Sequence, residues 1–239
     1  MFRAHRGRES ANWIAWVRRA GDDAFWDYAP AFLEDIVPGP RGDAGDRVRR
    51  GRVARDLAAR GHRVVGVDIS PTLIMAASDG DAAGRYVLAD AARLPFPDGS
   101  FDLVVAYNSL MDLDDLAAAV AETARVLTPT GVFAVCVVHP TADAGVFDDR
   151  TAGAAFRITG TYLEPRVIDE TFSRGGLRMR FAGMAYPLRA YGEAFESAGF
   201  VIERLREPAV APEAIERDPG EACWSRLPLF LFLRLVLRR

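Results

Sequence analysis

The chain has 239 residues, half of them hydrophobic, with 30 basic and 33 acidic side chains and a net charge of -3. That length and apolar share suffice for a buried core and exclude intrinsic disorder. The charge balance argues against a nucleic-acid-binding protein, and two cysteines, Cys136 and Cys223, build neither a disulfide framework nor a four-cysteine zinc site.

Arg3, His5, Arg6 and Arg8 open the chain, but Ser10, Asn12 and Arg18 interrupt any apolar run after them, so no signal peptide is expected. Residues 10–35 read as two helical stretches. Trp13, Ile14, Trp16 and Val17 stripe the first, and Phe25, Trp26, Tyr28, Phe32 and Leu33 the second. Pro38-Gly39-Pro40 closes this N-terminal helical cap, residues 1–40.

A different rhythm starts at Arg52. Arg52 to Arg60 is a short amphipathic helix stopped by Gly61. Arg63 to Asp68 (RVVGVD) is an apolar strand ending in an acid. Ser70 and Pro71 read as a cap and first helical residue, opening a helix to about Ser78. Tyr86 to Ala89 is a strand followed by Asp90. Phe101 to Ala106 is a buried strand, Leu113 to Leu127 a helix, Thr128 to Gly131 its stop, and Val132 to Val138 another strand. Alternation of this kind predicts an α/β fold, a Rossmann-like doubly wound sheet, with residues 41–140 as its cofactor-binding half.

Residues 141–186 break the alternation and read as an inserted lid, with possible strands at Phe156–Tyr162 and Leu177–Phe181. Residues 187–239 return to a helix at Leu188–Ala198, a strand at Phe200–Leu205 and a last strand at Leu229–Leu237. The most apolar run, Leu227 to Leu237, holds Pro228 and Arg234 and falls well short of the roughly 20 residues of a spanning helix. A single cytoplasmic domain without a membrane segment is expected.

The segments RVVGVD-ISPTLI, YVLADAARLPFPDGSFDLVVAYNSL, ETARVLTPTGVFAVCVVHP and AFESAGFVIERLREP, in that order, resemble class I S-adenosylmethionine-dependent methyltransferases acting on small molecules. The resemblance covers roughly residues 50 to 237. It implies S-adenosylmethionine as cofactor, a small-molecule acceptor, no nucleic-acid partner and an antiparallel last strand.

Asp68 ends a strand where a carboxylate accepts both ribose hydroxyls in dinucleotide-binding folds; read alone, it also suits the start of the next helix. The resemblance implies that Ile69 packs on the adenine face. It also implies that Asp90 and the Ala91 amide read the adenine edge, and that Tyr107 and Asn108 lie near the methionine end. Alone, Asp90 and Asn108 are turn formers, and Tyr107 is a core aromatic.

His139 follows a strand on the same crevice edge. Histidine titrates near neutral pH, which makes it the candidate general base. Trp13, Trp16, Trp26 and Tyr162 are candidate walls of the acceptor pocket, and Tyr28 a candidate cofactor-side contact.

The family's glycine-rich loop, L-[DE]-[VIL]-G-C-G-x-G, belongs just before Arg52. The chain instead reads Asp43-Ala44-Gly45-Asp46-Arg47-Val48-Arg49-Arg50-Gly51, leaving Gly51 as the glycine nearest the helix. So charged a stretch is not expected to form a buried strand. Read one base later, its codons permit T-L-E-I-G-C-G-E-G, the family motif at its proper place and length. Every basic residue in the chain is arginine, as in GC-rich coding sequence, where shifted frames read as Arg, Ala, Gly and Asp. A local frameshift is therefore expected, and the chain as written is expected to bind cofactor weakly.

Two other functions fit parts of this pattern. A degenerate methyltransferase fold would serve as a binding or regulatory subunit. A nicotinamide oxidoreductase would also use Asp68 on a ribose.

Overall fold

The computed structural model describes residues 9–16, 24–40, 43–47, 52–174 and 176–238, with the backbone alone at 43–47 and 174. Helix α1 spans residues 9–16 and α2 spans Phe25–Asp35. They are followed by β1 (Asp43–Arg47), α3 (Arg52–Ala59), β2 (Arg63–Asp68), α4 (Pro71–Gly80), β3 (Arg85–Leu88), β4 (Phe101–Tyr107), α5 (Leu116–Val126) and β5 (Leu127–Val138). Two antiparallel ribbons come next. One pairs β6 (Gly145–Phe147) with β7 (Phe156–Ile158), the other β8 (Arg166–Arg174) with β9 (Leu177–Ala185). Then come α6 (Leu188–Ser197), β10 (Phe200–Arg206), α7 (Pro212–Arg217) and β11 (Phe230–Leu237).

Seven strands form one sheet in the order β10-β11-β5-β4-β1-β2-β3. β11 runs antiparallel between β10 and β5, and the other pairings are parallel. β4, β5 and β11 are near-continuous apolar runs because both faces are covered there. Along β5 the side chains alternate between two cores. Phe133, Val135 and Val137 pack with Val120 of α5 and Tyr191 and Phe195 of α6. Val132, Ala134 and Cys136 pack with Phe32 of α2 and Val53 and Leu57 of α3.

Local signals set several ends. Ser70 caps α4 by accepting from the Leu73 amide at 3.4 Å, with Pro71 in the first turn. Asp115 caps α5 through the Ala118 amide at 2.9 Å, so that helix starts later than its apolar pattern predicts.

The structure corrects other expectations. Thr128–Gly131 does not simply end a helix; it lies inside β5. Phe101 pairs with Leu127 and Leu103 with Val132, so the extra residues bulge out of the ladder. Gly131 fits there because a Cβ would sit 2.8 Å from the Leu127 side chain and 3.0 Å from the Thr128 carbonyl. Residues 43–47 do form a strand, at the centre of the sheet between β2 and β4. Ladder bonds come from the backbone, and two flanking strands with open edges recruit it despite the charged sequence. The insertion carries β8, which the sequence pattern did not reveal, because a ribbon outside the main sheet has no continuous apolar face. α7 was likewise unforeseen.

Candidate functional site

The carboxyl ends of the parallel strands face two cavities that meet at Asp68. Its side chain ends β2 and is only 3% exposed. The Ser70 amide donates to its Oδ1 at 2.8 Å, which fixes the carboxylate over the β2–α4 turn.

The smaller cavity, about 120 Å³, brings together Asp68, Ile69, Asp90 and Ala91 against Phe96 and Leu110. Asp90 is held in a turn in which its Oδ1 accepts from the Ala92 amide at 3.0 Å. The loop that forms the floor is fastened to α5. Arg125 donates to the carbonyls of Phe96 at 2.8 Å and Leu94 at 3.0 Å, and Glu122 accepts from the Leu94 amide at 2.8 Å. The Arg125 hydrogen bond holds the Glu122 carboxyl below the usual carboxylate range. Sequence reading missed this pair; their three-residue helical spacing was the available signal.

The larger cavity, about 580 Å³, is lined by Asn108 at the end of β4, by α1 and by β8 and β9. Asn108 has φ 46°, a left-handed conformation that Asn tolerates better than most residues. Its amide donates to the Cys136 carbonyl at 2.8 Å, and its Oδ1 accepts from the Cys136 thiol at 3.4 Å. Ser10 and Ser70 hydroxyls meet at 2.8 Å and tie α1 to the Asp68 turn. Trp13 and Trp16 then pack edge-on against Phe181 of β9, with centroids 5.8 and 6.0 Å away.

Asp143, Arg166 and Glu170 also line this cavity. Burial pushes the Asp143 carboxyl up to about 7, Arg166 pulls it down, and Glu170 raises it. The sequence held no signal for this cluster, because β8 and the turn before β6 meet only in three dimensions.

The remaining expected site residues lie elsewhere. His139 is buried and lines neither cavity. Its Nδ1 accepts from the Thr141 amide at 3.1 Å, so the proton sits on Nε2, 2.9 Å from Glu207 Oε1. Burial holds the imidazole below its ordinary value, against the opposing pull of Glu207. Both ring nitrogens are committed, and the ring bridges two segments instead of opening on the larger cavity.

Tyr107 is buried in the core between Phe25 and Phe32, at 5.4 and 5.1 Å. Tyr28 packs its ring edge on Phe230, a wall of the larger cavity, at 4.8 Å. Its buried hydroxyl has no hydrogen-bond partner among the described residues, and burial raises its pKa well above the usual phenol value. Trp26 and Tyr162 line neither cavity, and Trp26 is largely exposed. Gly51 lies outside the described residues.

This site suits an adenosyl sulfonium. A buried strand-end carboxylate matches a vicinal diol, an apolar slot beside it matches a flat ring, and a roomy cavity begins at the same carboxylate.

Residues 48–135 match the family model described as a methyltransferase domain. The chain is 34% identical over 131 residues to a demethylmenaquinone methyltransferase of Thermus thermophilus, covering 53% of this chain and 56% of that protein. It is 33% identical over 157 residues to the Deinococcus radiodurans protein of the same name, covering 63% and 62%. The matches thus span little more than half the length of these relatives. An S-adenosylmethionine-dependent methyltransferase from Mesorhizobium loti superposes with a TM-score of 0.68 at 22% identity, over 89% of this chain and 97% of that one. Residues 48–135 are thus similar to a methyltransferase domain, and the chain has the fold of S-adenosylmethionine-dependent methyltransferases.

Proposed function

We propose that the protein transfers a methyl group from S-adenosylmethionine to a small-molecule acceptor. The observation that carries this reading is the buried Asp68 at the junction of an adenine-sized slot and an acceptor-sized cavity. The relatives named demethylmenaquinone methyltransferase support a small acceptor.

When bound, the cofactor supplies a methyl group on a sulfonium and its own leaving group. The chain's task is then to bind, orient and exclude water. In this reading Asp68 accepts the ribose hydroxyls, and Ile69 covers one face of the adenine. Asp90 and the Ala91 amide take its edge. Asn108 lies at the methionine end, with Gly51 assigned to the backbone cradle by sequence alone. The walls contributed by α1, β8 and β9 shut water from the acceptor.

Calorimetry with S-adenosylhomocysteine tests the assignment. Asp68→Asn keeps the shape but removes the charge that accepts the diol. It is expected to weaken binding by about tenfold or more, the size of a hydrogen bond to a charged group. Unchanged affinity in that variant would remove Asp68 from the cofactor site.

A further inference from the structure

We propose that the larger cavity receives an arylalkylamine, whose aliphatic nitrogen is held by Asp143 and Glu170 and passes a proton to Asp143 before it is methylated. This rests on the methyl-transfer reading and names its acceptor class.

The walls set the first half of the assignment. Trp13, Trp16, Phe172, Phe181 and Met179 line one side, and Phe172 meets Phe181 edge-on at 5.5 Å. Such surfaces bury a flat apolar body.

The charges set the second half. Among the described lining residues, Glu9, Asp68, Asp112, Asp143 and Glu170 stand against only Arg166 and Arg180. Both guanidiniums are engaged. Arg166 donates to the Asp143 main-chain carbonyl while its charge acts on the nearby carboxyl, and Arg180 clasps Asp169, with Nε at 2.6 Å. No described residue donates a hydrogen bond to the Asp143 or Glu170 carboxylate. An ammonium between them supplies the missing donors and charge, whereas a neutral hydroxyl supplies one donor and no charge.

Other groups facing Asp143 are Tyr191 of α6, whose phenol is buried, and His139, whose carbonyl accepts the Asp143 amide at 3.2 Å. Neither provides a positive charge, since the His139 ring is turned to Glu207. Burial makes the carboxyl of Asp143 far more basic than an exposed aspartate, against the pull of Arg166 and with the help of Glu170.

The chemistry balances. An ammonium R–NH3+ gives one proton to the Asp143 carboxylate, which becomes the neutral acid, and frees the nitrogen lone pair. That pair forms the bond to the methyl carbon as the carbon–sulfur bond breaks, and the bond electrons stay on sulfur. The product is R–NH2+–CH3, and Asp143 returns its proton to water.

The test is calorimetry on the full chain with phenethylamine and with 2-phenylethanol, each with and without S-adenosylhomocysteine. The amine is expected to bind at least about tenfold tighter than the alcohol, in line with a charge-assisted contact. Asp143→Asn should erase that preference while keeping S-adenosylhomocysteine affinity within about twofold, since Asp143 does not line the smaller cavity. If Asp143→Asn fails to melt cooperatively, Glu170→Gln on the exposed ribbon stands in, with the preference expected to fall.

Equal binding of amine and alcohol, no amine binding, or a preference that survives both variants would overturn the proposal. Loss of S-adenosylhomocysteine binding alone, with the amine preference intact, would instead overturn the methyl-transfer reading.

Discussion

His139 and Asp143 sit four residues apart after β5, yet their surroundings assign them opposite work. The imidazole accepts from one backbone amide and donates to Glu207, so it has no lone pair to offer a substrate. His139→Ala is expected to lower unfolding free energy by about 1–2 kcal/mol, the worth of its hydrogen bonds, and to leave the pH–rate profile unmoved. A lost alkaline or acid limb in that profile would restore it as a base. Asp143 carries a testable pH signature. Its folded pKa is raised to about 7 from an ordinary 3.8, so the folded state binds more protons than the unfolded state between those values. Stability contributed by this group is therefore present below that window and is lost as pH rises through it. Asp143→Asn removes the penalty. The variant should outlast the parent in urea at pH 8, and the gap should narrow toward pH 5. Neither role was legible in the sequence. VVHP and TADAG gave only residue types, and what distinguishes them is Glu207 and Thr141 on one side and Arg166 and Glu170 on the other.

Among the elements, α2 and β1 show two ways a charged residue enters a sheet protein. Arg234 lies inside β11, where its guanidinium donates to the last carbonyls of α2, Ile36 at 2.6 Å and Asp35 at 3.0 Å. Those carbonyls have no intrahelical partner, so the arginine satisfies the helix end while its stem packs. Arg234→Met should cost about 1–3 kcal/mol by leaving the buried Ile36 carbonyl unpaired, while Arg204 still donates to that of Asp35, measured as a lower denaturant midpoint. β1 is the second case. Its backbone occupies the centre of the sheet, while the family match begins at residue 48, beyond its end. So charged a sequence conflicts with the apolar character usual in a central parallel strand. The frameshift reading resolves the conflict by giving T-L-E-I-G-C-G-E-G. Resequencing the gene and weighing the purified protein should return that segment for residues 43–51. Installing it in the chain as written should strengthen S-adenosylhomocysteine binding. Equal affinity of the two chains would show that the glycine loop contributes nothing here.

At the scale of the molecule, the site is a product of layering. The parallel sheet presents Asp68, Asp90 and Asn108 at one edge because each follows the carboxyl end of its own strand, and helices cover both faces. No described helix is long and apolar enough to cross a membrane. The sequence by itself determined the α/β alternation, the strand-end acids and the cofactor class. Apolar periodicity, caps such as Ser70 and Asp115, and the residues closing each strand act over a few neighbours, and so leave a local trace. The tertiary structure alone decided which side chains line the larger cavity. The β8–β9 ribbon, α1 and the Asp143 turn are far apart in the chain and carry no shared pattern. They acquire a common purpose only when the Ser10–Ser70 contact and the Trp13–Phe181 packing bring them over one cavity. The same packing shows why His139 looked like a base: its strand-end position was readable from the sequence, but the partners that occupy both its nitrogens were not.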